Sequence, residues 1–361
     1  MQQNGSVIII GAGIIGSAVA YQLARVGRQV TVIGGGHATA TGSSFGWINA
    51  SFFLDDDHHH LRAEGIAAWR RLGADLEMPV QWMGCLCWDQ APEEMARTKA
   101  QLDDLGYPSE MLTRAEVLAK EPALRQAPEA ALFFPTEGAA MSGDVPTRLI
   151  AAAQGYGAQF IRDVQVDRII QTDGGRASVV TALGILTADQ VVIAAGTASQ
   201  QLAATVGGQV PLVHRPAYIL RSQSTAPLLN HILASPIGEI RQEPNGQLLI
   251  PAAVGHQGDT SDRLAEDPHT VAKATMQRLQ GLLEGIDDLR WAEVAYAERP
   301  VPADGKPIIG EIVEGVYVAC LHSGITLGPI VAELACKDLT GQLDNADAAL
   351  LASYRPERFS S

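Results

Sequence analysis

The sequence predicts an α/β fold: a Rossmann-type dinucleotide-binding domain interleaved with an α+β substrate domain that carries a mostly antiparallel sheet. Three observations lead there. An apolar run, 7–10, enters Gly11-Ala12-Gly13-Ile14-Ile15-Gly16 directly, and a helical pattern and a second apolar run, 30–33, follow. Two later apolar runs, 190–195 and 315–321, read as further buried strands. Between them, 210–297 holds short alternating stretches of the kind antiparallel sheets use.

With 361 residues, 47% hydrophobic and 18% charged, the chain can bury a large core and fill two units. Its net charge of -14 repels polyphosphate backbones and anionic lipid surfaces, so neither nucleic acid nor a membrane surface is an expected partner. No apolar run reaches the ~20 residues of a membrane-spanning helix, so no integral membrane segment is expected. Cys85, Cys87, Cys320 and Cys336 lack the CxxC spacing of a zinc site, and no metal is expected. They fit buried thiols in a reducing cytoplasm, with Cys85 and Cys87 on one face of a strand.

In chain order, 7–10 is the first strand, since no basic region precedes it as in a leader peptide. Ile15, Val19, Leu23 and Val26 recur at helical spacing, Gly27 stops the helix, and 30–33 is the second strand. The texture changes from about 50 to 140, with a His/Asp-rich loop, a helix over 61–72 and strands near 80–88. GDVPTRLIAAAQGYGAQFI then predicts a helix and a strand, and 190–195 a buried strand ending in Ala195-Gly196-Thr197. Strands at 217–221, 238–241 and 247–250 and a helix around 271–283 come next. The chain closes with a strand at 315–321, a glycine-bearing turn at 322–329 and a helix at 330–339. These shifts assign 1–50, 140–208 and 298–361 to the cofactor domain, and 51–139 and 209–297 to the substrate domain.

In GxGxxG the first glycine makes the tight turn, the second lets the backbone approach a pyrophosphate, and the third permits close helix packing. The helix amino terminus offers N–H groups and a positive dipole end to the phosphates. A second strand should then hand an acidic residue to the ribose, but Gly34, Gly35 and Gly36 stand there. Losing one charged hydrogen bond costs about 1.5–3 kcal/mol, which weakens the grip on a long cofactor without abolishing it. Backbone N–H groups of Gly35 and Gly36, or His37, are candidates for holding the ribose; a merely flexible turn is the alternative.

Five segments occur in order: VIIIGAGIIGSAVAYQLARVGRQVTVI, QVVIAAGTASQQL, ERPVPADGKPIIG, HSGITLGPIVAEL and SYRPERF. Together they resemble the FAD-dependent amine oxidoreductases, the family of D-amino-acid oxidases and dehydrogenases, glycine oxidase and sarcosine oxidase. The resemblance covers nearly the whole chain. It implies a Rossmann-type FAD-binding domain in which Gly11, Ala12, Gly13, Ile14 and Gly16 line the pyrophosphate and Ser43 and Ser44 lie along the cofactor. It also implies that Val166 presents its backbone to adenine and that Ala195 and Gly196 end a strand beneath FAD. Ser323, Gly324, Ile325, Thr326 and Leu327 match the loop at the flavin pyrimidine edge, where N–H groups stabilise the charge of reduced flavin. Relatives that attach flavin covalently use a cysteine just before the segment equivalent to 300–304; Ala297, Glu298 and Arg299 contain none, so FAD is expected to be non-covalent.

On the substrate side, the resemblance implies that Arg299 clamps a carboxylate and orients the alpha carbon. An interdomain ion pair with Glu298 or Glu293 is the competing reading. His322 either tunes the amine or flavin, or is a polar residue at a strand end. Glu239 stands where glycine-oxidase-like members carry a tyrosine. It would repel a carboxylate unless Arg241, on the same strand face, neutralises it, or it would favour a second cationic group on the substrate. Tyr218 belongs near the pocket or in the core, and Phe45 or Trp47 against the flavin or in the domain seam. Asp55-Asp56-Asp57-His58-His59-His60 carries metal-type donors, but adjacent residues rarely converge on one ion, so a solvated helix entrance or a lid is expected.

The implied activity is hydride removal from the carbon alpha to the nitrogen of a D-amino acid or small N-substituted amino acid. Water hydrolyses the imine, and oxygen or an electron carrier is the final acceptor. The alternative is a flavin-bearing subunit that passes electrons to a partner chain, as in relatives oxidising opines or hydroxyproline. The carboxy-terminal motifs disfavour a nicotinamide-dependent reductase.

Overall fold

The structure is a computed structural model that describes residues 5–35, 39–172, 174–255, 260–264 and 266–359. Strand Ser6–Ile10 lies at the heart of a six-stranded sheet, between Gln29–Gly34 and Gln190–Ile193. Gln159–Arg162 and Val316–Cys320 flank these three in parallel, and Ile308–Val313 closes one edge antiparallel. Both faces of the central strands are covered, which is why they read as unbroken apolar runs. Val7, Ile9, Val30 and Val32 pack under helices Ile14–Arg25 and Gly324–Leu339. Ile8, Ile10, Ile33, Val191 and Ile193 face a three-stranded sheet that includes Val166–Thr172 and Arg176–Thr181.

The second large sheet has eight strands, ordered Trp291–Glu298, Pro216–Ser224, Gln247–Pro251, Gly238–Gln242, Ile232–Ser235, Cys85–Cys87, Ala130–Phe134 and Glu110–Thr113. All neighbours are antiparallel except Ile232–Ser235 with Cys85–Cys87. Helix Pro268–Leu282 buries Ala272, Thr275, Met276 and Leu279, and Asp267 caps it by accepting the N–H groups of His269 and Thr270. A small sheet of Trp47–Ile48, Gly138–Ala140 and Val80–Gln81 joins the segment after the cofactor loop to later chain. Among the described residues no helix is long and apolar enough to cross a membrane.

Two helices begin earlier than the sequence suggests. The helix expected over 61–72 is Asp56–Asp75, because Asp55 accepts the His58 N–H at 2.9 Å and Asp56 and Asp57 complement the helix dipole. The Asp/His run is therefore a cap and first turn, a helix entrance whose Asp56, Asp57 and His60 are exposed while His58 and His59 are 6% and 5% exposed. The helix expected over 330–339 starts at Gly324, with Pro329 inside it and not before it. Proline leaves the carbonyl four residues back without its helical donor. Here that carbonyl, on Ile325, accepts Trp69 Nε1–H at 2.8 Å, so the helix continues.

Candidate active site

Gly11 has φ +114, and a Cβ there would meet the Ala194 carbonyl at 2.2 Å; a Cβ on Gly16 would meet the Gly11 carbonyl at 2.0 Å. Only glycine fits either place. Gly13 caps helix Ile14–Arg25 without a side chain, and no acid occupies its first turn, so the positive end is open to phosphate. Thr41 Oγ1 accepts the Ile14 N–H at 3.2 Å, a contact that the generic run TATGSS did not signal.

Gly34, which ends the second strand, and Gly35 after it answer local backbone demands. A Cβ on Gly34 would lie 2.9 Å from the Ala12 backbone nitrogen, so the strand end presses against the Gly11–Gly16 turn. Gly35 has φ +97. An acidic side chain at Gly34 would have to displace that turn, so the missing carboxylate is a steric consequence and not a flexible accident. Gly36 and His37, the other ribose candidates, lie outside the described residues. Beside this strand end, Ala12, Gly35, Ile150, Phe160, Arg162 and Asp163 line a cavity of about 270 Å³.

Past the pyrophosphate turn, Ser44 Oγ accepts the Gly46 N–H at 3.1 Å, and Ser142 donates to the Ser44 carbonyl. Ser43 is buried in the same turn, its N–H on the Thr39 carbonyl. Gly46, φ +81, allows a close approach: a Cβ would sit 2.4 Å from the Ala140 carbonyl. Val166 starts its strand buried beneath the parallel sheet. Ala195 and Gly196 follow Gln190–Ile193, where the Ala194 N–H reaches the Ile10 carbonyl at 2.8 Å.

At the other end of the site, Gly324 and Gly328 pack against Ile14, with a Gly328 Cβ only 3.0 Å from Ile14 Cγ1. The first turns of the two glycine-started helices thus lie side by side. Ile325, Thr326 and Leu327 are buried. Thr326 Oγ1 donates to the Trp47 carbonyl at 3.1 Å and accepts the Asn49 N–H at 3.2 Å. His322 is half-buried, its Nδ1 3.4 Å from Ser323 Oγ.

Next to this turn is a buried carboxylate that sequence reasoning missed. Glu137, 0% exposed, accepts Trp47 Nε1–H at 2.9 Å, the Tyr107 hydroxyl at 2.9 Å and the Ser51 N–H at 3.2 Å. Burial outweighs these bonds and pushes its pKa to about 7. Arg62, also buried, donates to the Asn49 carbonyl at 3.1 Å; burial lowers it to about 10 while the Glu137 charge works the other way. Nothing in TEGAAMSG marks Glu137 as different from a surface acid.

On the eight-stranded sheet, Arg221, Leu249 and Arg241 are register neighbours and share a face. That face meets the cofactor segment: Arg221 donates to the Gly42 carbonyl at 3.0 Å and Arg241 Nε to the Phe45 carbonyl. The carboxylate paired with Arg241 is Glu243, at 2.9 Å, not Glu239 as expected, because Arg241 extends away from its strand neighbour toward the Phe45 loop. Arg241 is 0% exposed, and its Nη1 has no hydrogen-bond partner among the described residues. Glu239, on the same strand face as Arg241, is 5% exposed. Tyr218 is three residues from Arg221, which puts it on the opposite face, against Tyr296 with ring centroids 6.2 Å apart. Alternation therefore takes Tyr218 away from Arg241.

Arg299 is 8% exposed, and its backbone N–H and Nε both donate to the Arg215 carbonyl, at 3.0 and 3.2 Å. Glu298 pairs with His214, and Glu293 with Arg221 at 3.2 Å.

These features fit FAD. The glycine cradle excludes side chains where a pyrophosphate would run, two helix amino termini supply donors, and Arg241 offers an orphaned buried N–H. A family model described as FAD dependent oxidoreductase matches residues 6–337. The chain is 26% identical to glycine oxidase of Geobacillus kaustophilus (strain HTA426), over 96% of this chain and 95% of that one. It is 23% identical to an opine oxidase subunit of Agrobacterium tumefaciens (strain Ach5), over 93% and 94% respectively. Its fold matches the crystal structure of glycine oxidase from Geobacillus kaustophilus with a TM-score of 0.86, at 24% identity over 99% of both chains. Cradle, paired helix starts and family match agree, and the chain belongs to the FAD-dependent oxidoreductases, with FAD as its cofactor.

Proposed function

We propose that this chain oxidises the C–N bond of a D-amino acid or small N-substituted amino acid. The observation that carries this reading is the buried guanidinium of Arg299, two residues beyond Ala297, whose strand partner Ala217 shares a face with Arg221. The Arg215 carbonyl accepts from both the backbone N–H and Nε of Arg299, which fixes the guanidinium, a group that can grip a carboxylate bidentately. Arg241 adds positive potential, and Glu239 on the same face favours an amine nitrogen or a second cationic group. When bound, FAD supplies the two-electron acceptor for the hydride that leaves the carbon alpha to nitrogen. The division of labour expected from sequence remains part of this reading, with 1–50, 140–208 and 298–361 carrying FAD. Anaerobic addition of D-amino, N-methyl and cyclic amino acids to the flavin-loaded chain tests it. Bleaching of the flavin absorbance by one class supports it; a panel without any bleaching counts against it.

The likeness to an opine oxidase subunit supports a second reading, a flavin-bearing chain that passes electrons to a partner. Copurification of an iron-sulfur or ferredoxin-like protein would favour it. Rapid oxygen consumption by the isolated chain would count against it.

A further inference from the structure

Among the described residues, only Asp163 and Ser323 are non-glycine residues with positive φ, both at +58. Ser323 caps the helix at one end of the site. Asp163 is at the other end, one residue past strand Gln159–Arg162, which runs parallel to Gln29–Gly34 with Arg162 opposite Gly34. Left-handed backbone disfavours every residue except glycine, aspartate and asparagine being merely the most tolerated, and such outliers gather at functional sites. A turn alone would be served better by glycine.

The turn aims Asp163 at the place left vacant by Gly34. The Asp163 N–H donates to the Gly34 carbonyl at 3.2 Å, and Asp163 Oδ1 is 3.6 Å from where a Gly35 Cβ would stand. Its side chain lines the 270 Å³ cavity together with Ala12 of the pyrophosphate turn and Gly35. No hydrogen bond or ion pair engages its carboxylate among the described residues. The neighbouring Arg162 instead places its guanidinium over the Phe160 ring at 4.9 Å. Among the described residues, then, an exposed carboxylate without a partner is held in a disfavoured backbone conformation at the rim of the cavity that Ala12 and Gly35 line.

We propose that Asp163 binds the adenosine ribose hydroxyls of FAD, so that the carboxylate absent from the end of the second strand is supplied by the strand beside it. Neighbouring strands are about 4.8 Å apart, a displacement that one side chain can span. The inference rests on FAD crossing the Gly11–Gly16 turn. It adds a ribose ligand that the glycine motif does not predict.

The test titrates the flavin-free full chain with FAD, and with FAD whose adenosine ribose lacks the 2′-hydroxyl, following flavin fluorescence. Asp163→Asn should bind FAD roughly 10- to 100-fold more weakly than the parent chain, the span of a lost charge-assisted hydrogen bond. The deoxy analogue should bind the parent chain more weakly too, and should lose little more on Asp163→Asn. Asp163→Gly should show the same loss of FAD affinity while the flavin-free protein melts no lower than the parent, since glycine accepts the backbone conformation. Unchanged FAD affinity in Asp163→Asn, or equal losses for FAD and its deoxy analogue, overturns the assignment while leaving the cofactor in place. Failure of the parent chain to bind FAD overturns both.

Discussion

Glu137 makes the pH dependence of this fold measurable. Its folded-state pKa is about 7 against an ordinary 4.5, raised first by burial, and it is fully buried. Between those values the folded chain holds a proton that the unfolded chain has released, so stability is greatest below 4.5 and is lost as pH rises through 7. From pH 5 to pH 8 the loss is on the order of 2–3 kcal/mol, since each pKa unit is worth about 1.4 kcal/mol. Glu137→Gln removes the titration. Glutamine still accepts from Tyr107 or Ser51 but turns an amide N–H toward Trp47 Nε1, a pH-independent cost of about 1 kcal/mol. Urea unfolding of the flavin-free protein at several pH values should therefore show the variant slightly weaker at pH 5 and stronger at pH 8. Parallel stability curves for the two proteins would refute the reasoning, because they would mean that Glu137 is ionised throughout.

Arg299→Ala should keep the flavin spectrum while kcat/KM for carboxylate-bearing amines falls roughly 100-fold or more, as for a lost charged hydrogen-bond pair; full activity would remove its clamp role. Gly34→Ala should weaken FAD binding, since the added Cβ would stand 2.9 Å from the Ala12 nitrogen of the pyrophosphate turn, and equal or tighter binding by calorimetry would show that the turn yields. His58 accepts the Leu54 N–H at 3.2 Å, and burial lowers its pKa to about 3. The unfolded chain therefore takes up a proton below 6.5 that the folded chain refuses, and stability falls as pH drops from there. His58→Gln should flatten that acid limb in thermal melts, and an unchanged limb would show that other groups cause it.

Much of this was legible because it is local. The turn GAGIIG, the apolar strands on either side, and the carboxy-terminal HSGITLGP are short contiguous segments whose backbone needs are written in glycine spacing and hydrophobic period. Local reading erred where a distant group altered a local rule. Pro329 lies inside the helix and not in a turn before it, because Trp69, from another helix, donates to the carbonyl it strands. The Asp/His run is a helix entrance, as expected, but only the fold shows that Asp55 caps it and that packing buries His58 and His59 while His60 stays exposed.

By itself the sequence determined the dinucleotide cradle, the mostly antiparallel second sheet and the family likeness, since periodicity and glycine placement record constraints between near neighbours along the chain. Tertiary structure alone decided which charges meet: Arg241 with Glu243, Glu137 with Trp47 and Tyr107, Tyr218 on the far face, and Asp163 beside Gly35. The reason is that strand register and burial set the neighbours and the dielectric of a titratable group, and both arise from pairings between segments distant in the chain, such as Gly34 with Arg162.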